Sequence, residues 1–354
     1  MRQTLNYNIH NLLKFQVVRD EKRALAWDLN FPFSYFEVEK VNDPDIVLNI
    51  GKFTPSNHDC YLIEHRYYVK DNYLYCKDIR NRTKWEVEIS GFEQGKTVVN
   101  FNAATFGFAD ILIPDFLPQN LLLRPLIEYK LAERNYFLIH SAAVSRNGQA
   151  YLLEGRAGAY KTTLCMDLIR KSGFSFMGDD RIIIHDGHVL SFPLHYTTFT
   201  FKARNLPTEN FRSLWDKIHL LKYLRENLNN TNGDNKVTEC STLKAVFSMV
   251  KTNKQYVIKR NSNLKKVVAR LPVSMQMEMV HSPTMLGMNF GCYFSYMMAY
   301  SFVFPKSKIA LYWHKMEDKL LRELENIPLY EIEVPRNYSQ ETFAEISQFM
   351  GMNK

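Results

Sequence analysis

The rhythm of apolar and polar positions changes near residue 113. Before it, short apolar or alternating runs follow one another: Lys14–Val18, Tyr35–Val38, Ile46–Ile50, Tyr61–Ile63, Leu74–Cys76, Trp85–Ile89 and Val98–Phe101. Turn-prone pieces such as Asn42-Asp43-Pro44 and Asp71-Asn72 separate them. Alternation at period two between turn residues predicts antiparallel strands, so residues 1–113 read as an N-terminal β-rich domain. Its many tyrosines and phenylalanines fit the cross-strand pairs of a sheet.

Beyond residue 113 strands and helices alternate. Gln119–Arg134 carries Leu122, Leu126 and Leu131 at near-helical spacing, with Pro125 in or near the first turn. Two apolar runs, Phe137–Val144 and Gln149–Glu154, flank the polar turn Ser145–Gly148 and read as paired strands. Leu164, Leu168 and Ile169 then fall at helical spacing, and Gly173 stands where a helix should stop. Phe174–Met177 is a short strand, and Arg181–His185 and Val189–Phe192 form a hairpin about Asp186-Gly187. Thr197–Lys202 alternates as a strand, Phe211–Leu228 as a helix with a basic outer face, and residues 229–236 form a polar loop suited to a lid. Ala245–Val250 and Gln255–Lys259 suggest a hairpin, Ile309–Trp313 a strand, Lys315–Leu324 an amphipathic helix and Leu329–Val334 a last strand. Ser339 caps a closing helix whose apolar face is Phe343, Ile346 and Met350. Residues 114–354 thus read as an α/β domain.

With 354 residues, 46% of them hydrophobic, the chain can bury the cores of two domains. Its net charge of +8 is too diffuse to argue for nucleic acid, and suits a phosphate-rich ligand or an acidic peptide. The five cysteines are odd in number and lack C-x-x-C spacing, so neither a disulfide framework nor a zinc site is expected, and a reducing cytoplasm is. Met1–Leu13 has no continuous apolar core of the kind a signal peptide carries. Residues 286–304 are uncharged and long enough to span a bilayer, yet Asn289, two serines, three tyrosines and two glycines interrupt them. We read them as a buried helix or strand pair and expect no membrane span. Seven of the fourteen methionines lie between Val273 and Tyr300, as filler of an irregular core or as an adaptable peptide-binding surface.

The candidate chemistry lies after the second of the paired strands. Gly155, Arg156, Ala157, Gly158, Ala159, Tyr160, Lys161, Thr162 and Thr163 follow it and lead into the helix. A strand, a glycine-bearing loop, Lys-Thr and a helix make a phosphate-binding P-loop, whose backbone N–H groups and helix N-terminus cradle an anion. Lys161 supplies a cation for the outer phosphates and the Thr162 hydroxyl a ligand for magnesium. Tyr160 stands where the pattern has a glycine. Either its ring points out of the loop or the loop has lost its nucleotide; the Lys-Thr-Thr run and its helix favour the first. One helix later Asp179 and Asp180 close a strand, placed to meet metal and γ-phosphate. Arg204, after the next strand, is a guanidinium that could steady the transferred phosphate.

His140-Ser141, the Gly-x-x-Gly-x-x-Lys-Thr-Thr loop and the Asp-Asp pair together resemble the core of the HPr kinase/phosphorylase-related family. The resemblance spans about residues 120 to 200 and omits that family's second, glycine- and arginine-rich signature. It implies an HPr kinase/phosphoenolpyruvate carboxykinase-like P-loop domain, here behind an N-terminal β-rich domain. It further implies that His140 sits beside the P-loop strand as a candidate catalytic residue, that Asp179 is the base toward the incoming hydroxyl and that Asp180 is a metal ligand. The expected activity is ATP- and magnesium-dependent transfer of the γ-phosphate to a hydroxyl of a serine in a small protein or peptide, or of a small metabolite. A homo-oligomer is left open. The rival expectation is a nucleotide-binding regulatory or scaffold protein without catalysis, for which Tyr160 and the missing signature speak.

Overall fold

A computed structural model describes residues 2–20, 33–80, 83–104, 122–156, 158–194, 237–253, 257–260, 263–281, 292–335 and 339–352. The chain divides into two compact units, Met1–Arg134 with Gln276–Lys315, and Asn135–Met275 with Met316–Lys354. The fold is mixed α/β, with two large mixed sheets and, among the described residues, six helices. The helices are α1 (Arg124–Glu133), α2 (Lys161–Ser172), α3 (Leu264–His281), α4 (Cys292–Val303), α5 (Tyr312–Leu324) and α6 (Gln340–Met352). No helix among the described residues is long and apolar enough to cross a membrane.

In the first unit, β1 (Arg2–Ile9), β2 (Leu13–Asp20), β3 (Glu37–Val38), β4 (Ile46–Ile50), β5 (Tyr61–Ile63), β6 (Tyr67–Lys70), β7 (Tyr73–Arg80), β8 (Thr83–Ser90) and β9 (Thr97–Ala104) form one sheet. Their order is β3-β1-β2-β4-β9-β8-β7-β6-β5. The expected antiparallel sheet is corrected to a mixed one: β4 runs parallel to both β2 and β9. Each of those pairs is joined by a long excursion of chain, which parallel pairing requires. Along β9, Thr97, Val99, Phe101 and Ala103 are buried while the residues between them are half-buried or exposed, so one face carries the core. Helix α4 adds Tyr296, whose hydroxyl accepts from Trp85 Nε1 at 3.0 Å, and Tyr300, whose hydroxyl accepts from Asn72 N at 3.1 Å. Its uncharged sequence is therefore half core and half surface, with Phe302 exposed.

The second unit holds β10 (Phe137–Ile139), β11 (Ser141–Arg146), β12 (Gln149–Gly155), β13 (Ser175–Gly178), β14 (Ile182–His185), β15 (His188–Leu190), β16 (Cys240–Lys251), β17 (Val257–Arg260) and β18 (Leu329–Val334). The order is β10-β14-β15-β16-β12-β11-β13, with β18 beside β16 and β17 beside β18. Strands β12, β16 and β18 are mutually parallel. A strand buried on both faces reads as a continuous apolar run, and Ala150–Gly155 is buried throughout. On one face Leu164, Cys165 and Leu168 of α2 and Phe343, Ile346 and Met350 of α6 meet Leu153, Phe247, Met249, Ile332 and Val334.

Two expectations fail here for identifiable reasons. Ala245–Val250 and Gln255–Lys259 are no hairpin, because β12 and β18 already flank β16, and β17 pairs antiparallel with β18 instead. Ile309–Trp313 is no strand: it is a turn running into α5, with Ile309 N donating to the Glu93 carboxylate at 2.9 Å. Of the expected Gln119–Arg134 helix, Arg124–Glu133 is α-helical with Pro125 in its first turn, and residues 119–121 lie outside the described residues. The strand at 197–202, the helix at 211–228 and the loop at 229–236 lie outside the described residues.

Candidate functional site

The site forms where the parallel strands of the second unit end, the edge at which open α/β sheets bind ligands. Strand β12 stops at Gly155, beside Met249 of β16. Gly155 has φ +153°, and a β-carbon on it would stand 2.5 Å from the Met249 carbonyl oxygen. Only glycine lets the chain leave the sheet so close to its neighbour. The loop then tightens through Ala159 N donating to Arg156 O at 3.1 Å and enters α2 at Lys161. Ala157 lies outside the described residues, Gly158 and Thr163 are exposed, and the Arg156 guanidinium reaches the Ser274 carbonyl of α3 at 3.5 Å.

Tyr160 caps α2 with φ 65° and ψ 19°, the left-handed conformation that a glycine at this position adopts without strain. Its ring packs on the apolar layer beneath α2 and α6, and Lys251 Nζ lies 4.6 Å from the ring centroid. The side chain is thus engaged with the core and the end of β16.

Lys161, Thr162, His140, Asp179 and Arg181 converge beside the loop. Lys161 is only 6% exposed; its Nζ donates to the Gly155 carbonyl and lies 2.8 Å from His140 Nε2. The other ring nitrogen, His140 Nδ1, lies 2.8 Å from Arg181 Nη1, which also donates to the Asp180 carbonyl at 2.8 Å. Thr162 Oγ1 stands 3.0 Å from Asp179 Oδ1 and 2.9 Å from Oδ2, donating to the carboxylate. His140, Asp179 and Arg181 are all buried. The sequence singled out all of these except Arg181. Arg204, expected to supply the guanidinium, lies outside the described residues.

The aspartate pair sits on a bent strand end. Asp180 adopts φ 74°, which turns the chain between β13 and β14 and keeps the two carboxylates from a simple alternation. Gly178 serves close packing: a β-carbon there would lie 2.7 Å from Ile182 Cδ1 and 2.8 Å from the Arg181 carbonyl oxygen.

Behind the loop lies a polar network that the sequence did not reveal. Glu154, the residue before Gly155, is buried and accepts from Ser248 Oγ at 2.7 Å. Arg270 of α3 donates to Ser248 Oγ at 2.8 Å and to Glu331 at 3.3 Å, and Lys266 pairs with Glu331 at 3.1 Å. Burial pushes the Glu154 carboxyl above its usual range, against the Ser248 hydrogen bond and the charges of Arg270 and Lys161. The only hint in the sequence is an acid inside an otherwise apolar strand. Burial likewise raises the Cys165 thiol, which packs in the core as a small apolar group.

Among the described residues no cluster of three His, Cys, Asp or Glu side chains could hold a metal ion. A nucleotide-borne magnesium needs less, because it keeps several waters and takes one or two protein oxygens besides the phosphates. The Thr162 hydroxyl on the Asp179 carboxylate fits that requirement. No protein-family model matches this chain, and no curated protein matches it.

Proposed function

We propose that this protein is an ATP-dependent phosphotransferase that moves the γ-phosphoryl group to a hydroxyl, with an HPr kinase/phosphoenolpyruvate carboxykinase-like P-loop domain. The observation that carries the reading is the meeting of Thr162, next to Lys161 at the start of α2, with Asp179 at the end of β13. Backbone N–H groups of the loop and the α2 N-terminus bind the phosphates. Lys161 leaves the Gly155 carbonyl and His140 to reach the outer phosphate oxygens. Magnesium, on Thr162 and Asp179, supplies charge neutralisation along the phosphates when bound. The Thr162–Asp179 contact favours Asp179 for the metal edge and leaves Asp180 as the carboxylate toward the acceptor, the reverse of the assignment that the resemblance implies.

In the transfer, the acceptor hydroxyl oxygen forms its bond to the γ-phosphorus while the bond from γ-phosphorus to the β–γ bridging oxygen breaks. ADP leaves with that electron pair, and the hydroxyl proton passes to the carboxylate. Such chemistry asks mainly for positioning and charge stabilisation, which a small constellation of this kind can supply. A serine-bearing small protein or peptide and a small metabolite are both acceptors of the required chemistry.

A second reading, a nucleotide-binding regulatory protein without turnover, draws on Tyr160 in the loop and on the hold that Gly155 and His140 have on Lys161. Incubating the full chain with magnesium-ATP, with and without cell extract, separates the two. The kinase reading expects ADP formation that rises with extract and a phosphorylated product. ATP that stays intact under both conditions, although bound, supports the second.

A further inference from the structure

Three parallel strands carry a polar row directly beneath the phosphate loop. Glu154 of β12 is the register partner of Ser248 of β16, and Ser248 that of Glu331 of β18. The neighbouring Leu153, Phe247 and Ile332 face the apolar layer under α2 and α6, so alternation turns the row to the opposite face. All three side chains are buried there, and Arg270 of α3 reaches them. A guanidinium only donates, so Arg270 Nη1 gives one hydrogen to Ser248 Oγ at 2.8 Å and the other to Glu331 Oε2 at 3.3 Å. The hydroxyl hydrogen of Ser248 then goes to Glu154 Oε2 at 2.7 Å. One helical turn on, the Ser274 carbonyl accepts from Arg156 Nη1 at 3.5 Å. Helix α3 therefore holds the residues on both sides of Gly155, whose own carbonyl receives Lys161.

We infer that Arg270 is a positioning residue for the phosphate loop, acting through Ser248 and Glu154 on the exit of β12. Stability alone does not ask for these groups. Apolar side chains of like volume would pack between the strands and α3 at least as well as a buried ionic network. Departures from that simpler packing gather at functional sites. This one stands at the residue before Gly155, where the chain leaves the sheet too close to Met249 for a β-carbon. Loop N–H groups cradle an anion only when they are held in place beforehand, so what fixes the first residue of the loop preorganises the rest. A single nitrogen, Nη1, makes both Arg270 contacts, so a lysine ammonium can stand in for it.

The consequence for nucleotide rests on the phosphotransferase reading; the positioning of the loop does not. The test is hydrogen exchange of the full, nucleotide-free chain, read by mass spectrometry on the fragment that contains the Ala159 amide, which donates to Arg156 O. In Arg270→Met that fragment should exchange about tenfold faster, the order of one hydrogen bond to a charged group. Fragments from β14 and β15 should keep their wild-type rates. Ser248→Ala, which removes only the middle of the chain of hydrogen bonds, should act in the same way and decides the matter should Arg270→Met not fold. Arg270→Lys should restore most of the protection. Unchanged exchange in the loop, equal acceleration throughout the second unit, or no recovery in Arg270→Lys overturns the inference. Where the wild type binds magnesium-ATP, Arg270→Met should weaken that binding about tenfold by calorimetry, and unchanged affinity overturns the positioning role. Absence of binding to the wild type counts against the phosphotransferase reading and leaves the exchange rates to decide whether Arg270 positions the loop.

Discussion

The Thr162 hydroxyl and the Asp179 carboxylate meet at 2.9 to 3.0 Å, joining the first turn of α2 to the end of β13. These are two groups that can share a magnesium ion with nucleotide phosphates. In the absence of nucleotide the contact is a charge-assisted hydrogen bond of the kind worth about 1.5–3 kcal/mol. If both residues serve one ion, Thr162→Ala and Asp179→Asn should each raise the magnesium requirement for ATP binding. The double variant should do little more than the worse single one, a non-additivity of at least about 0.5 kcal/mol in a double-mutant cycle. Fully additive effects on magnesium-ATP affinity would mean that the two act on separate things.

The paired aspartates should separate by role. Asp180→Asn is expected to cost turnover about 100-fold or more, as loss of a base does, while magnesium-ATP binding survives. Asp179→Asn is expected to weaken that binding as well. Calorimetry alongside a coupled ADP assay measures both. The opposite pattern would restore the assignment that the family resemblance implies, and wild-type turnover in both variants would make the pair structural.

Tyr160 carries the strain of a left-handed backbone, about 1–2 kcal/mol, in return for its packing and for the Lys251 ammonium over its ring. Because the ring is engaged with the core, Tyr160→Gly should keep magnesium-ATP affinity within a few-fold. Its unfolding midpoint in urea should also stay close to wild type, as relief of strain offsets lost contacts. Binding that appears only in the glycine variant would mean that the tyrosine blocks the cradle.

Glu154 provides a pH test. Its carboxyl is raised by burial, so the protonated form belongs to the folded state and the ionised form is costly there. Stability from this group is fully present below the unfolded-state pKa and is lost as pH rises through the folded one. Glu154→Gln mimics the protonated form. Its stability advantage over wild type should therefore be absent at low pH and grow as pH rises from about 4.5. Urea unfolding of both proteins across that interval checks this, and a pH-independent difference would show that the ionised carboxylate is accommodated.

The elements that the sequence made legible are those bounded by local punctuation. Leu329–Val334 stands between Pro328 and Pro335 and is β18 residue for residue. The helix after the loop ends at Gly173, which adopts φ 68° as a helix stop. Ser339 caps α6 by accepting from Thr342 N at 3.2 Å. Strands β1 and β6 went unassigned although the alternation is there: Leu5, Tyr7 and Ile9 alternate with Thr4, Asn6 and Asn8 in β1, and β6 is only four residues long. The loop, Lys161, Thr162 and the aspartates announce themselves by spacing. By contrast, Arg181 against His140, and Glu154 with Ser248, Arg270 and Glu331, are long-range contacts between elements that no local pattern relates. Pairing partners obey the same limit: β17 chose β18 over β16 because β16 had no open edge there.

The central claim is that the loop from Gly155 to Thr163 binds a nucleotide through Lys161, and titration calorimetry of the full chain with magnesium-ATP tests it most directly. The account predicts saturable binding to the wild type and at least a tenfold loss in Lys161→Ala, equivalent to about 1.4 kcal/mol or more, with both proteins folded by circular dichroism. Equal affinity in the two proteins, or no binding to the wild type at millimolar magnesium-ATP, would contradict it.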